Sequence, residues 1–319
     1  MSDFALEVTN LVKEYGDIRA VNDLSFQVNK GEIFGLLGPN GAGKTTTLEC
    51  IEGLRKQTSG NISVAGINPH SHSKELFKTI GVQLQSSSIP EMMTCREAVN
   101  FFGRYHGVKP TDDLLIRLGL KEKLKSPYHT LSVGQKRRLS LVIAAVHEPQ
   151  ILFLDEPTAG LDVQSRIELH AMIREFKDQG RTVIIATHDM AEAETLCDTI
   201  GIIVQGSLAM LGTPEEITSA GDRRTKITLS SAKGTLISLA EKEALNKVPG
   251  KTLHAIDCAI LTGIKDGYSY YTTENPGPAV LTMLTLLQEA NDELVDLRVE
   301  RPSLEERFIE ITRSKEDRV

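Results

Sequence analysis

The segment Gly38-Pro-Asn-Gly-Ala-Gly-Lys-Thr45 restricts this chain more than any other. It follows the apolar run Ile33-Phe-Gly-Leu-Leu37 and precedes TTTLECIEGL, which has helical periodicity. A glycine-rich loop therefore joins a buried strand to a helix, in the pattern G-x-x-x-x-G-K-[ST]. Glycines at 38, 41 and 43 allow backbone angles and close approaches that a Cβ would forbid, so backbone N–H groups can turn inward around phosphate oxygens. The positive end of the following helix adds to that attraction. On this reading Gly38, Pro39, Asn40, Gly41, Ala42, Gly43, Lys44, Thr45 and Thr46 make a phosphate cradle. Lys44 is expected to reach the β- and γ-phosphates, and the Thr45 hydroxyl to ligate Mg²⁺.

A second oxygen ligand is expected from another strand end. Asp155 closes the apolar run Ile151-Leu-Phe-Leu154, so its carboxylate emerges at the carboxyl edge of the sheet, where ligands of α/β proteins bind. Glu156 follows directly. Adjacent carboxylates suit separate tasks, Asp155 toward the metal and Glu156 toward a water in line with the γ-phosphate.

Around these motifs the first thirty residues alternate apolar and polar, as half-buried antiparallel strands do. Short continuous apolar runs then take over, including Thr182-Val-Ile-Ile-Ala186, with helical patterns between them. Alternating strand and helix implies an α/β fold with a parallel core sheet, an antiparallel N-terminal part and a hairpin at Ile202 to Met210. Strand signal disappears between Gln85 and Leu131, and about 86–131 read as an inserted helical subdomain. A boundary near 222 divides the chain into a nucleotide-binding domain, 1–222, and a C-terminal accessory domain, 223–319. In the accessory part, strands at Tyr268 to Tyr271 and Leu294 to Arg298 flank a helix around Ala279 to Ala290, which predicts a small α/β module. Ser303 and Glu306 form a capping-box pattern ahead of a helix whose Leu304, Phe308 and Ile311 share a face.

Ser132 and Gln135, in Leu131-Ser-Val-Gly-Gln135, form a second capping-box pattern. It opens a helix over Lys136 to Val146, with a predicted buried stripe of Leu139, Val142, Ile143 and Val146. Such a helix start is also an anion site. Here the sequence resembles the nucleotide-binding subunits of ATP-binding-cassette transporters, whose signature is LSGGQ, with Val133 in place of the first of its two glycines. The spacing of about twenty residues from this signature to the Asp155-Glu156 strand also matches that family. The resemblance implies the P-loop cassette ATPase fold and an ATP sandwich, in which Ser132, Gly134 and Gln135 meet the γ-phosphate bound by a second, identical chain.

Other positions follow from the same resemblance. Gln85 is similar to the glutamine that touches the metal where the helical insertion meets the membrane subunit, with Gln83 as its nearby competitor. Asp162 resembles the residue whose loop crosses to the partner's site, and His188 the histidine that holds the γ-phosphate. Tyr15 resembles the aromatic that stacks on adenine. ATP and Mg²⁺ are the implied ligands, and a homodimer with separate polytopic membrane subunits the implied assembly. The segment GEIFGLLGPNGAGKTTTLECIEGL and the tail Arg301-Pro-Ser-Leu-Glu-Glu-Arg-Phe-Ile-Glu-Ile-Thr312 look like the daunorubicin-resistance branch of exporters. That branch implies export of drugs, antibiotics or related compounds.

Composition separates this reading from its rival, a soluble cassette ATPase acting on ribosomes or DNA. With 36 Lys+Arg against 43 Asp+Glu the net charge is −7, which disfavours a nucleic-acid footprint. The longest uncharged apolar stretch, around Pro276 to Leu287, falls short of the ~18–20 residues that cross a bilayer. The N-terminal MSDFALEVTN has no signal-peptide pattern, so the expected location is the cytoplasmic face of the membrane, held by the membrane subunits. The four scattered cysteines, Cys50, Cys95, Cys197 and Cys258, read as reduced packing residues, and His70 and His72 as loop residues.

Overall fold

The computed structural model describes residues 4–84, 89–220, 224–239 and 258–316. They fall into two compact units, 1–214 with 311–319, and 215–310. In the first unit, β1 (Phe4–Tyr15), β2 (Ile18–Asn29) and β4 (Ser59–Val64) form an antiparallel sheet in the order β2-β1-β4. Their alternating burial matches the period-2 pattern of the sequence. The inward residues, among them Leu6, Leu24 and Phe26, pack with Phe34, Ile151 and Phe153 of the second sheet. Phe26 and Phe34 stack with ring centroids 5.2 Å apart.

That second sheet has six strands: β5 (Ile80–Gln83), β6 (Ile151–Asp155), β7 (Thr182–Thr187), β3 (Ile33–Leu37), β8 (Thr199–Val204) and β9 (Ser207–Gly212), in that spatial order. All neighbours are parallel except β8 and β9, the expected hairpin. Every residue of β3, β6 and β7 is buried, which is why these strands read as unbroken apolar runs. The helices α1 (Lys44–Ile51), α5 (Val133–Ala145), α6 (Val163–Asp178) and α7 (Met190–Leu196) connect them. Between β4 and β5 lies α2 (Ser73–Thr79), a short helix without a clear sequence period. The insertion carries α3 (Cys95–Tyr105), capped by a Thr94–Glu97 box, α4 (Asp113–Arg117) and two 3₁₀ turns.

The helix expected over Lys136 to Val146 starts earlier, at Val133, because Ser132 is its N-cap and the next residue is already helical. Its buried side is also wider than the expected stripe. Leu139 and Val142 are buried, Ile143 and Val146 only partly, and Leu141, Ala144 and Ala145 are buried as well. The cause is packing on several sides at once, against β5, α3 and α4.

The second unit begins with α8 (Pro214–Ser219), whose first residue closes the first unit and where the sequence had suggested only a turn. A four-stranded antiparallel sheet follows, in the order β11-β12-β10-β13: β11 (Ile260–Lys265), β12 (Tyr268–Thr273), β10 (Thr225–Ser231) and β13 (Leu294–Glu300). Ile227, Leu229 and Tyr271 of the sheet pack with Ala279, Met283 and Leu287 of α9 (Pro276–Glu289). With a helical turn over 235–239 after β10 and α9 before β13, the described elements run β-α-β-β-α-β. In the last helix, α10 (Leu304–Glu316), only half of the expected capping box forms. The Glu306 N–H donates to Ser303 Oγ at 3.2 Å, but the Glu306 carboxylate pairs with Lys226 of β10 instead of turning back. All four cysteines are free thiols, three of them buried. The expected domain boundary near 222 lies outside the described residues.

One buried group runs against the apolar logic of the sheet. Gln83, the last residue of β5, is 2% exposed, and among the described residues neither its amide oxygen nor its nitrogen has a hydrogen-bond partner. An unpaired buried amide costs about 1–3 kcal/mol, and leucine has nearly the same volume. Gln83→Leu is therefore expected to raise the thermal midpoint by a few degrees in a calorimetric scan. A lower midpoint would show that the amide is used.

Candidate functional site

The carboxyl ends of β6, β7 and β3 lie side by side on one edge of the parallel sheet, and the chemistry-bearing residues emerge there. The glycine-rich loop leaves β3 and is held by backbone from two other places. Gly206 N donates to Ala42 O at 3.0 Å, and Asn22 N donates to Gly206 O at 2.8 Å. Gly43, the N-cap of α1, has φ +101°, and a Cβ there would lie 2.4 Å from the Ala20 carbonyl oxygen. Only glycine fits such a position on both counts. Because Ala20 is two residues beyond Ile18, the register partner of Tyr15, the β1–β2 turn forms the rim of the loop. Tyr15 is 40% exposed, with Lys13 Nζ 4.8 Å and the Arg55 guanidinium 5.6 Å from its ring centre.

Inside the rim, Lys44 is buried and Nζ donates to Gly38 O at 2.8 Å and Pro39 O at 3.3 Å. Burial pulls its pKa down, while the charges of Glu156 and Asp155 oppose that. Thr45 Oγ1 donates to Asp155 Oδ2 at 3.2 Å. The other Asp155 oxygen, Oδ1, is buried with no hydrogen-bond partner among the described residues, and burial raises the pKa of this carboxyl. A hydroxyl beside a carboxylate with an unused buried oxygen is a hard-oxygen donor set of the kind Mg²⁺ takes. Glu156 has φ +48°, an unusual conformation for a side chain of this size, and its N–H donates to Ala186 O at 2.9 Å. This sharp turn brings Glu156 Oε1 to 2.8 Å from His188 Nδ1.

Lys44, Thr45, Asp155, Glu156 and His188 thus form one cluster. The remaining predicted residues lie elsewhere. Ser132 and Gln135 make both bonds of the capping box, Gln135 N to Ser132 Oγ at 3.2 Å and Ser132 N to Gln135 Oε1 at 3.0 Å. Gly134 is buried against α6, where a Cβ would meet Ser165 Oγ at 2.8 Å. Val133, in contrast, is 57% exposed. Asp162 caps α6, accepting from Ser165 N at 2.8 Å and from Ser165 Oγ at 2.9 Å; these bonds hold its pKa below the usual range. Among the described residues no hydrogen bond joins Ser132, Gln135 or Asp162 to the Lys44–Glu156 cluster. Gln85 lies outside the described residues.

A glycine-rich strand-to-helix loop, a buried lysine, a metal-suited carboxylate and a carboxylate–histidine pair on a parallel sheet edge define a P-loop nucleoside triphosphatase. The ABC transporter family model matches residues 21–159. The linearmycin resistance ATP-binding protein LnrL of Bacillus subtilis (strain 168) is 34% identical over 316 residues, covering 96% of this chain and 98% of that protein. The daunorubicin resistance ATP-binding protein DrrA3 of Streptomyces coeruleorubidus is 31% identical over 319 residues, covering 98% and 97%. Among solved structures, CbiO1 from Clostridium perfringens, part of the ABC transporter complex cbiONQ, superposes with a TM-score of 0.63 at 30% identity, over 68% of this chain and 92% of that one. The chain belongs to the ABC transporter family as an ATP-binding subunit, which binds ATP and hydrolyses it to drive transport.

Glu52, at the end of α1, is a feature the sequence reading passed over. It sits within the helical stretch LECIEGL and carries no motif, so its burial, at 2% exposed, has no signal in the sequence. Desolvation, then the charges of Asp155 and Glu49, push its pKa up to about 8. The sign follows from linkage. Above an ordinary carboxyl pKa the unfolded chain ionises Glu52 while the folded chain keeps it protonated, so stability falls as pH rises toward about 8. Glu52→Gln is expected to melt several degrees above the parent at about pH 8 and close to it at about pH 5. Parallel melting curves for the two proteins across that range would refute the assignment.

Proposed function

We propose that this chain powers export of drugs, antibiotics or related compounds, as a pair of identical chains acting on separate membrane-spanning subunits. The observation that carries the reading is the end-to-end similarity to two resistance proteins, which extends through the C-terminal residues beyond the ATPase core. The accessory domain, 223–319, is on this reading part of the exporter subunit rather than an unrelated appendage. The chain's own helices agree with a separate channel, because no described helix is long and apolar enough to cross a membrane.

On this reading the residues take the following roles, which the Lys44–Glu156–His188 cluster supports. The phosphate loop, from Gly38 to Thr46, and Lys44 bind the triphosphate, and Tyr15 offers a face to the adenine. Thr45 and Asp155, with Gln85, would hold Mg²⁺, which would supply positive charge against the phosphate oxygens. Glu156 accepts a proton from the attacking water, and His188, bonded to it, is placed to contact the γ-phosphate. Ser132, Gly134 and Gln135 stand at a helix start, which suits the γ-phosphate of an opposing chain, and Asp162 caps the next helix at the loop that, on this reading, crosses to the partner's site. Two nucleotides between two chains complete two sites. In this scheme closure binds ATP and hydrolysis reopens the pair.

A surface for the membrane subunit is also at hand. Leu54, Phe77, Leu84, Phe101, Tyr105 and His147 line a groove of about 390 Å³ between the helical insertion and the core of the first unit. Phe101 is 58% exposed there, a large apolar side chain with no internal reason to face water. The location proposed for the chain is the cytoplasmic face of the membrane, through this contact.

Glu156→Gln is expected to bind Mg·ATP, lose turnover and accumulate as a dimer by light scattering, while the parent remains in exchange. A monomeric Glu156→Gln at saturating Mg·ATP would count against the sandwich. Phe101→Asp is expected to abolish co-purification with the membrane subunits and leave ATP affinity intact; undiminished co-purification would remove the groove from the interface.

A further inference from the structure

One face of α6 carries three polar residues spaced by a turn: Asp162 at its cap, then Arg166 and His170. The last two reach across to α7, the helix that begins directly after His188 and its neighbour Asp189. Arg166 Nη1 donates to Asp189 Oδ2 at 3.1 Å. His170 Nε2 lies 3.3 Å from Glu192 Oε1. The two rungs are joined on the α7 side, because Asp189 Oδ1 accepts from Glu192 N at 3.0 Å as the N-cap of that helix. Asp189 N in turn donates to Thr187 Oγ1 at 3.0 Å, on the fully buried last residue of β7.

The result is a closed ring from α6 through Arg166, Asp189, Glu192 and His170 back to α6. His188 is the one residue between Thr187 and Asp189, so both of its neighbours are bound. The two rungs differ in kind. His170 and Glu192 have side chains 9% and 0% exposed, so their contact is desolvated and part of the packing between the helices. Arg166 and Asp189 are 40% and 29% exposed, and an ion pair so open to water adds little to stability. Its guanidinium nevertheless holds the orientation of the carboxylate next to His188. No feature of nucleotide binding calls for that contact, since Arg166 is absent from the Lys44–Glu156 cluster.

We propose that Arg166 is a positioning residue for hydrolysis: through Asp189 it ties the His188 loop to the helix that Asp162 opens, so that movement at Asp162 shifts His188 against Glu156. The inference rests on the roles given above to Glu156, His188 and Asp162. It links the Asp162 loop to the His188 loop of the same chain through one turn of α6, from Asp162 to Arg166, and the Arg166–Asp189 pair.

The test is steady-state ATPase kinetics on the full chain, with ATP affinity from a fluorescent analogue and thermal midpoints alongside. Arg166→Ala is expected to lower kcat by about tenfold while ATP affinity stays within about twofold and the midpoint changes little. Arg166→Lys is expected to recover part of the loss, since a point charge replaces a fork. Asp189→Asn, which keeps the capping oxygen, is expected to lose as much as Arg166→Ala, and the double variant no more than either. Parental kcat in Arg166→Ala, or losses that multiply in the double variant, overturns the proposal; so does a fall in kcat that only tracks a lowered midpoint in both Arg166→Ala and Arg166→Lys. His188→Ala separates the two layers of the argument. Parental turnover in that variant would remove the underlying roles, whereas an inactive His188→Ala beside an unaffected Arg166→Ala removes only the coupling.

Discussion

The clamp on the glycine-rich loop is the constraint on which the rest of the first unit depends. A loop whose N–H groups must point at a ligand cannot satisfy them internally, so it has no helix or ladder of its own to fix its shape. Here the fixing is done from outside. Ala20 of β2 presses on Gly43, and Gly206, in the β8–β9 turn, bonds Ala42 on one side and is itself bonded by Asn22. The antiparallel sheet and the edge hairpin are therefore structural supports of the site, although neither carries a catalytic side chain.

Behind the loop, the sheet edge collects ionisable groups in little water. Burial moves Lys44 down and Asp155 and Glu52 up, each toward its neutral form, and the charges of Glu156 and Asp155 oppose the shift at Lys44. Among the described residues the cluster is thus electrostatically unfinished: one Asp155 oxygen has no partner, and the hydrogen bonds of Lys44 Nζ go to backbone of its own loop. A bound triphosphate would supply the negative charge that Lys44 lacks, and the donor set of Thr45 and Asp155 suits a hard cation.

Much of this was legible in the sequence because it depends on local pattern. The strand–loop–helix context of Gly38 to Thr45, the apolar run ending at Asp155 and the Ser132–Gln135 box are short-range signals, and each appears in the structure where its spacing places it. Buried strands announce themselves by composition alone. What escaped was of another kind. α5 starts three residues before the Lys136 that its apolar stripe suggests, because the Ser132–Gln135 cap overlaps the first turn of the helix. Glu52 and Gln83 look like ordinary polar positions in their segments, and their burial comes from elements far away in the chain. β10 and β11 passed unnoticed since their residues, rich in Thr, Ser and Gly, alternate too weakly to signal a strand.

The sequence by itself determined the fold class, the phosphate loop and the family, since each rests on residue type and spacing within a few turns of chain. The tertiary structure alone decided which of the candidate site residues share a cluster, that Glu156 and His188 bond each other, and that Arg166 and His170 reach the helix after His188. It also decided the strand order of the accessory sheet and the diversion of Glu306 to Lys226. The reason is physical. Local spacing sets which face of an element a side chain occupies, but its partner is set by which other element packs on that face, and that choice is made by the whole core at once.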